Sequence, residues 1–243
     1  MSKKVINQNT NYDSEILNSI ESNFIFDENP INRLIVNTNY IKKDNSIDKI
    51  DKEKELNELK LEINSIIDCD LKNNSKKIVL GDGNINSFIM LIGEAPGLEE
   101  DNTGLTFEGE VGALLKKMLV AINIKKENIY STYAVNFRPP EDRKPTSIEI
   151  KRYSQFLQKH ISIIRPKIII LMGSTAMESL TGLNSKISFE RGKWKEIIIK
   201  NTNYKAIITF NPSYLLRVPE NKKYSWEDLK KIKQKITDLN IDI

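Results

Sequence analysis

SFIMLIGEAPG, residues 87–97, is the stretch that decides the fold. Phe88 to Ile92 are apolar without a break, and Gly93 closes the run, the pattern of a strand covered on both faces. Gly93 and Gly97 then bracket a tight turn in which Pro96 fixes φ. Glu94 is thereby held at the strand's end, where its carboxylate can face a pocket. Gly-Pro turns are ordinary, and the Gly-Lys-Ser/Thr that would close a phosphate-binding loop is absent.

Working outward, NIYSTYAV (128–135), PKIIILMG (166–173) and YKAIITF (204–210) read as three further strands. Between and after them, EVGALLKKMLVAI (110–122), TSIEIKRYSQFLQKHISII (146–164), STAMESL (174–180) and SWEDLKKIKQKITDL (225–239) read as helices, with Ser174 and Ser225 as the N-caps of the last two. Alternating strands and helices make a three-layer α/β/α sandwich around a mainly parallel, four-stranded sheet. KKIVL (76–80) and the Gly-Asp-Gly turn suggest a hairpin leading into the first of these strands. This α/β domain is expected over 66–243. Residues 1–65 read as a partly flexible helical and linker extension: a short amphipathic helix in 11–24, a low-complexity linker in 37–49, then a helix lying on the domain with Leu56, Leu59, Ile63 and Ile66 on one face.

The chain has 243 residues and a net charge of +4, an excess too small to demand an acidic partner. No stretch is apolar for long enough to span a bilayer or to serve as a signal peptide, and the one cysteine, Cys69, fits a reducing cytoplasm. One histidine, His160, read as an exposed or half-buried helix residue, argues against Ser-His-Asp catalysis and against histidine-rich metal sites.

In such a sheet, ligands bind outside the carboxyl ends of the strands. Three segments lie there: GEAPG and the loop after it, the turn from Tyr133 to Arg143, and NPSYLLR (211–217). Phe107, in a loop crowded with acidic and glycine residues, is either core or a flat surface on which a planar ligand stacks. Asn211 is either the cap of a turn or a working amide. Leu215 and Leu216 beside Arg217 form either an apolar wedge for a DNA groove or a strand cap folded into the core.

GEAPG (93–97), Glu100-Asp101, GLTFEG (104–109), RPPEDRKP (138–145), RGKW (191–194) and NPSYLLR occur in the order seen in the uracil-DNA glycosylase superfamily. From about 66 to 235 the chain most resembles family 4 of that superfamily. The resemblance implies hydrolysis of the N-glycosidic bond of uracil, or a related deaminated base, flipped out of DNA. It assigns Glu94 to the water or the sugar cation, Asn211 to the leaving base, and Gly93, Ala95, Phe107 and Tyr133 to base binding. Pro212, Ser213, Leu215, Leu216, Arg217, Arg138 and Arg191 would touch DNA.

Three departures stand out. Asn211 stands where family 4 has histidine, keeping a donor with less reach. Tyr133 replaces the asparagine that reads the Watson–Crick edge of uracil. Of four positions that carry iron–sulfur ligands in the family, Ile66, Cys69, Phe137 and Tyr153, one cysteine is left. The expectation is a cofactor-free, metal-free, monomeric cytoplasmic enzyme acting on DNA that contains uracil. The competing functions are a relative that binds lesions without hydrolysis and an α/β nucleotide-binding protein.

Overall fold

The computed structural model describes residues 45–241. The helix expected in 11–24 and the linker before residue 45 lie outside them. The last five residues of that linker, 45–49, belong instead to the first helix, α1 (Asn45–Asn64). Leu56, Leu59 and Ile63 of α1 are buried in the core, as their spacing implies, and Ile66 packs half-buried against it. The helix is part of one compact unit, Asp44–Ile243.

The elements that follow are α2 (Asp70–Asn74), β1 (Asp82–Gly83), β2 (Ile89–Gly93), α3 (Leu98–Thr103), α4 (Gly109–Val120) and β3 (Ile129–Tyr133). Next come α5 (Ser147–Ile164), β4 (Ile168–Met172), α6 (Ser174–Thr181), α7 (Ile187–Glu190), β5 (Trp194–Ile199), β6 (Thr202–Thr209), α8 (Pro212–Arg217) and α9 (Lys222–Asp238). The sheet order is β1-β3-β2-β4-β6-β5. The central four strands, β3-β2-β4-β6, are parallel, and antiparallel β1 and β5 close the edges.

Side chains alternate across the sheet with the period of two that a strand imposes. Met90, Ile92, Ile169, Leu171 and Ile208 face one core layer with α1, α5 and α6. Ile89, Leu91, Ile168, Ile170 and Ile207 face the other, with α4 and α9. The three-layer sandwich is therefore as the sequence implies, with six strands in place of four.

Both extra strands have a physical reason. KKIVL forms no hairpin with β2, because side chains on the far side of β3 capture it. Thr132 Oγ1 donates to Leu80 O at 2.5 Å and Asn136 Nδ2 to Val79 O at 3.0 Å, which lays β1 along β3. β5 and β6 form a hairpin through Lys200 and Asn201, at φ 46° and 65°. Two left-handed residues are what a tight hairpin turn requires, but here without the glycine that usually signals it.

Three local expectations change. Gly173, not Ser174, holds the cap position of α6, and α9 starts three residues before Ser225, which is buried within it. His160 is buried, with Nε2 2.9 Å from Tyr130 Oη, because the apolar stripe of α5 turns it onto the sheet. Burial pulls its pKa down from 6.5 to about 3, so the ring is neutral.

Candidate functional site

The chain runs β2 to β3 on one side of β2 and then crosses to β4 on the other, so the strand order reverses between β2 and β4. Such a switch point opens a crevice at the carboxyl ends of the strands. A cleft of about 590 Å³ lies there, lined by the GEAPG turn, Phe107, Tyr133, the 139–145 loop, the start of α6 and α8.

Glu94 sits where β2 ends, across from the start of α6. Its Oε1 accepts from Thr175 N–H at 3.0 Å and from Ser174 Oγ at 3.2 Å, and its Oε2 accepts from Asn211 Nδ2 at 3.2 Å. Three donors from two elements thus hold one carboxylate. Gly173 makes room for it: a Cβ there would lie 2.4 Å from Glu94 Cδ, and its φ of 104° suits only glycine. Thr175, whose backbone N–H is one of these donors, is itself fully buried, and its Oγ1 has no hydrogen-bond partner.

Asn211 is both cap and site residue. Its Oδ1 accepts from Ser213 N–H at 3.0 Å, capping α8 with Pro212 at the first helical position, while its Nδ2 faces Glu94. It is 8% exposed, so both polar atoms are held by these contacts. The question of a turn cap or a working amide resolves into one residue doing both.

A second carboxylate organises the opposite wall. Glu100, which is buried where Glu94 is only half-buried, accepts from Gly97 N–H at 2.9 Å through Oε2. Its Oε1 accepts from Glu108 N–H at 3.1 Å and from Tyr133 Oη at 3.3 Å. Tyr133 Oη in turn accepts the Phe107 N–H at 2.9 Å. Burial, with the charge on Glu100 second, raises the Tyr133 pKa well above its ordinary value, so the phenol stays protonated and donates.

The cations expected at DNA are placed very differently. Arg217 is exposed at the cleft with no ion pair among the described residues, and Lys144, which the sequence analysis did not single out, lies there in the same condition. Arg138 is clamped by Asp142, Nε to Oδ1 at 2.7 Å and Nη2 to Oδ2 at 2.9 Å. Arg191 is turned inward. Its Nε donates to Asp228 Oδ2 at 3.0 Å, its Nη2 reaches Asp228 Oδ1 and Tyr224 O, and Asp228 is fully buried. Of the two leucines, Leu215 is 1% exposed and belongs to the core, while Leu216 is half-buried. Ser213 and Ala95 line the cleft, and Gly93 lies beneath the Phe107 and Tyr133 rings. Ser174, Thr175 and Gly173 were missed as site residues because nothing local marks them. The pairing of β2 with β4 brings them to Glu94.

The four family cluster positions also meet. Cys69 Sγ lies 3.3 Å from Tyr153 Oη, the Phe137 and Tyr153 rings pack edge-on at 6.4 Å, and Ile66 packs against the same core.

Comparison with known proteins places these features in a lineage. The model of the uracil DNA glycosylase superfamily matches residues 80–232. The type-4 uracil-DNA glycosylase of Thermotoga maritima is 37% identical over 167 residues, 68% of this chain and 86% of the relative. That of Archaeoglobus fulgidus is 33% identical over 181 residues, 73% and 91% of the two chains. That of Sulfurisphaera tokodaii is 36% identical over 191 residues, 74% and 84%. By this match over more than half of its length and by these identities, the chain belongs to the uracil DNA glycosylase superfamily.

Proposed function

We propose that this chain is a monofunctional DNA-repair glycosylase that hydrolyses the N-glycosidic bond of uracil, or of a related deaminated base, and leaves an abasic site. The observation that carries the reading is the Glu94 carboxylate, held by three donors at the strand switch point. When the glycosidic bond breaks, its electron pair leaves on the base and positive charge gathers on the sugar. Glu94 is placed to steady that charge and to orient the water whose oxygen bonds to C1′ and whose proton is released. The Asn211 amide, with one hydrogen toward Glu94, has a second for a carbonyl of the departing base.

DNA approaches along the side where Arg217 and Lys144 are free to meet phosphates. Arg138 and Arg191, already engaged by carboxylates, serve the architecture. Leu216, and not Leu215, is the residue exposed enough to fill a gap in the duplex. Among the described residues no helix is long and apolar enough to cross a membrane. We take the enzyme to act as a monomer in the cytoplasm.

One thiol, with Tyr153 against it and Phe137 packed on Tyr153, does not fit an iron–sulfur cluster, which normally needs four thiolates. We propose that these side chains do by packing what a cluster would do by coordination, and that no cofactor is required. Stoichiometric iron and visible charge-transfer absorption in the purified protein would contradict this.

The function is tested by single-turnover cleavage of an oligonucleotide carrying one uracil. Alkali-sensitive abasic sites should form with the wild type and be lost in Glu94→Ala. DNA binding without any abasic product at high enzyme would establish the non-hydrolytic binder instead.

A further inference from the structure

We propose that Tyr133 occupies the base subsite in the resting protein, so that a flipped base enters only after this side chain swings aside. The inference rests on the glycosylase reading and adds a gate to it. Tyr133 ends β3 directly opposite Gly93 of β2. A Cβ on Gly93 would lie 2.6 Å from the Tyr133 ring and 2.9 Å from Phe107 Cζ, so both rings lie on the same side of that strand. Their centroids are 5.0 Å apart at 40°, which leaves Phe107 only 8% exposed and Tyr133 only 3%. The face on which a base would stack is therefore already covered by an aromatic ring of this chain.

The polar contacts point the same way. Tyr133 Oη accepts the Phe107 N–H and donates to Glu100 Oε1. A planar ring against Phe107, with an oxygen on its backbone N–H, makes the contacts that a base carbonyl and its ring would make there. An asparagine in this place would stop short, leaving the volume for a base and presenting a donor and an acceptor to its edge. The phenol fills that volume and has its single hydroxyl spent at both ends.

Opening the gate breaks two hydrogen bonds and parts two rings, so the competent state is a minor one, and the apparent affinity for the base falls by the fraction that is open. Removing the phenol should therefore tighten binding of the base by about tenfold or more.

The test compares wild type, Tyr133→Asn, Tyr133→Ala and Tyr133→Phe, each confirmed to melt cooperatively. The readouts are binding of free uracil by calorimetry and single-turnover excision from DNA. Asn and Ala should bind uracil at least about tenfold more tightly, with Phe, which keeps the ring but not the hydroxyl, rising less. Asn should also excise uracil faster. Equal uracil affinity in all four proteins, or a wild type that exceeds Asn in both readouts, would overturn the gate while leaving the glycosylase intact. Tighter uracil binding in the variants with no excision by any protein would sink the glycosylase reading and keep the gate. Should Asn and Ala fail to fold, Phe decides alone: a rise in affinity supports the gate and an unchanged value overturns it.

Discussion

A chain with one histidine allows an unusually clean experiment on its pH dependence. His160 is neutral in the folded protein because burial holds its pKa at about 3, against 6.5 when exposed. Below pH 6.5 the unfolded chain binds a proton that the folded chain refuses. Stability from this site is therefore complete above the unfolded pKa and is lost as pH falls toward the folded one. The slope approaches about 1.4 kcal/mol per pH unit, and integrated from pH 7 to pH 5 the loss is about 2 kcal/mol. That figure hardly depends on how far below 5 the folded pKa lies, because the unfolded titration alone sets it. Two other contributions are separable. The Asp228 carboxyl, pushed up by burial despite Arg191, acts in the opposite sense, gaining stability as pH falls. Asp142 and Glu149, lowered by their arginines, lose stability only nearer their ordinary values of 3.8 and 4.5. Urea denaturation of the wild type and of His160→Gln at both pH values isolates the histidine, since glutamine can still bond Tyr130 Oη but does not titrate. The difference in slope between the two proteins is the measurement. A wild type no less stable at pH 5 relative to His160→Gln would refute a neutral buried ring.

Gly173→Ala should slow excision sharply, because the new Cβ collides with the Glu94 carboxylate and the residue must also hold a φ of 104°. Breaking even two of the three hydrogen bonds there forfeits about 3 kcal/mol of preorganisation, a rate loss of roughly a hundredfold in single turnover; retention within threefold would remove Glu94 from its assigned role. Arg191→Ala should lower stability by about 3–5 kcal/mol in denaturant titration, since it strands buried Asp228. Arg217→Ala should leave stability unchanged and reduce the salt dependence of DNA binding by about one phosphate's worth. The opposite assignment of effects would mean that Arg191, not Arg217, meets DNA.

What could be read from the residues was whatever depends on short range. Short runs of apolar, aromatic and β-branched residues marked the four parallel strands, and GEAPG marked Glu94 at a strand end. β5 escaped because its turn, Lys200-Asn201, adopts left-handed backbone without glycine, and its edge position admits Lys195 and Glu196 between apolar residues. The partners of Glu94 escaped for a different reason: residues 80 and 117 positions away meet it through strand order, which no local pattern encodes. Arg191 and Arg217 are indistinguishable as letters. One faces a carboxylate 37 residues on and the other faces solvent. The leucines of α8 were separable in principle, since one turn of helix after Pro212 sends Leu215 inward and leaves Leu216 at the edge.

The packing of Cys69, Phe137 and Tyr153 also changes what the protein asks of its surroundings. If side chains alone fasten this region, as proposed, the fastener assembles as the chain folds and waits on no delivery machinery. Chelators, which strip iron from proteins, would on that proposal find no iron there to remove. On the proposed cofactor-free reading, repair by this enzyme would continue through iron starvation and oxidative attack, the conditions under which damaged DNA accumulates and a cluster-bearing relative would be failing.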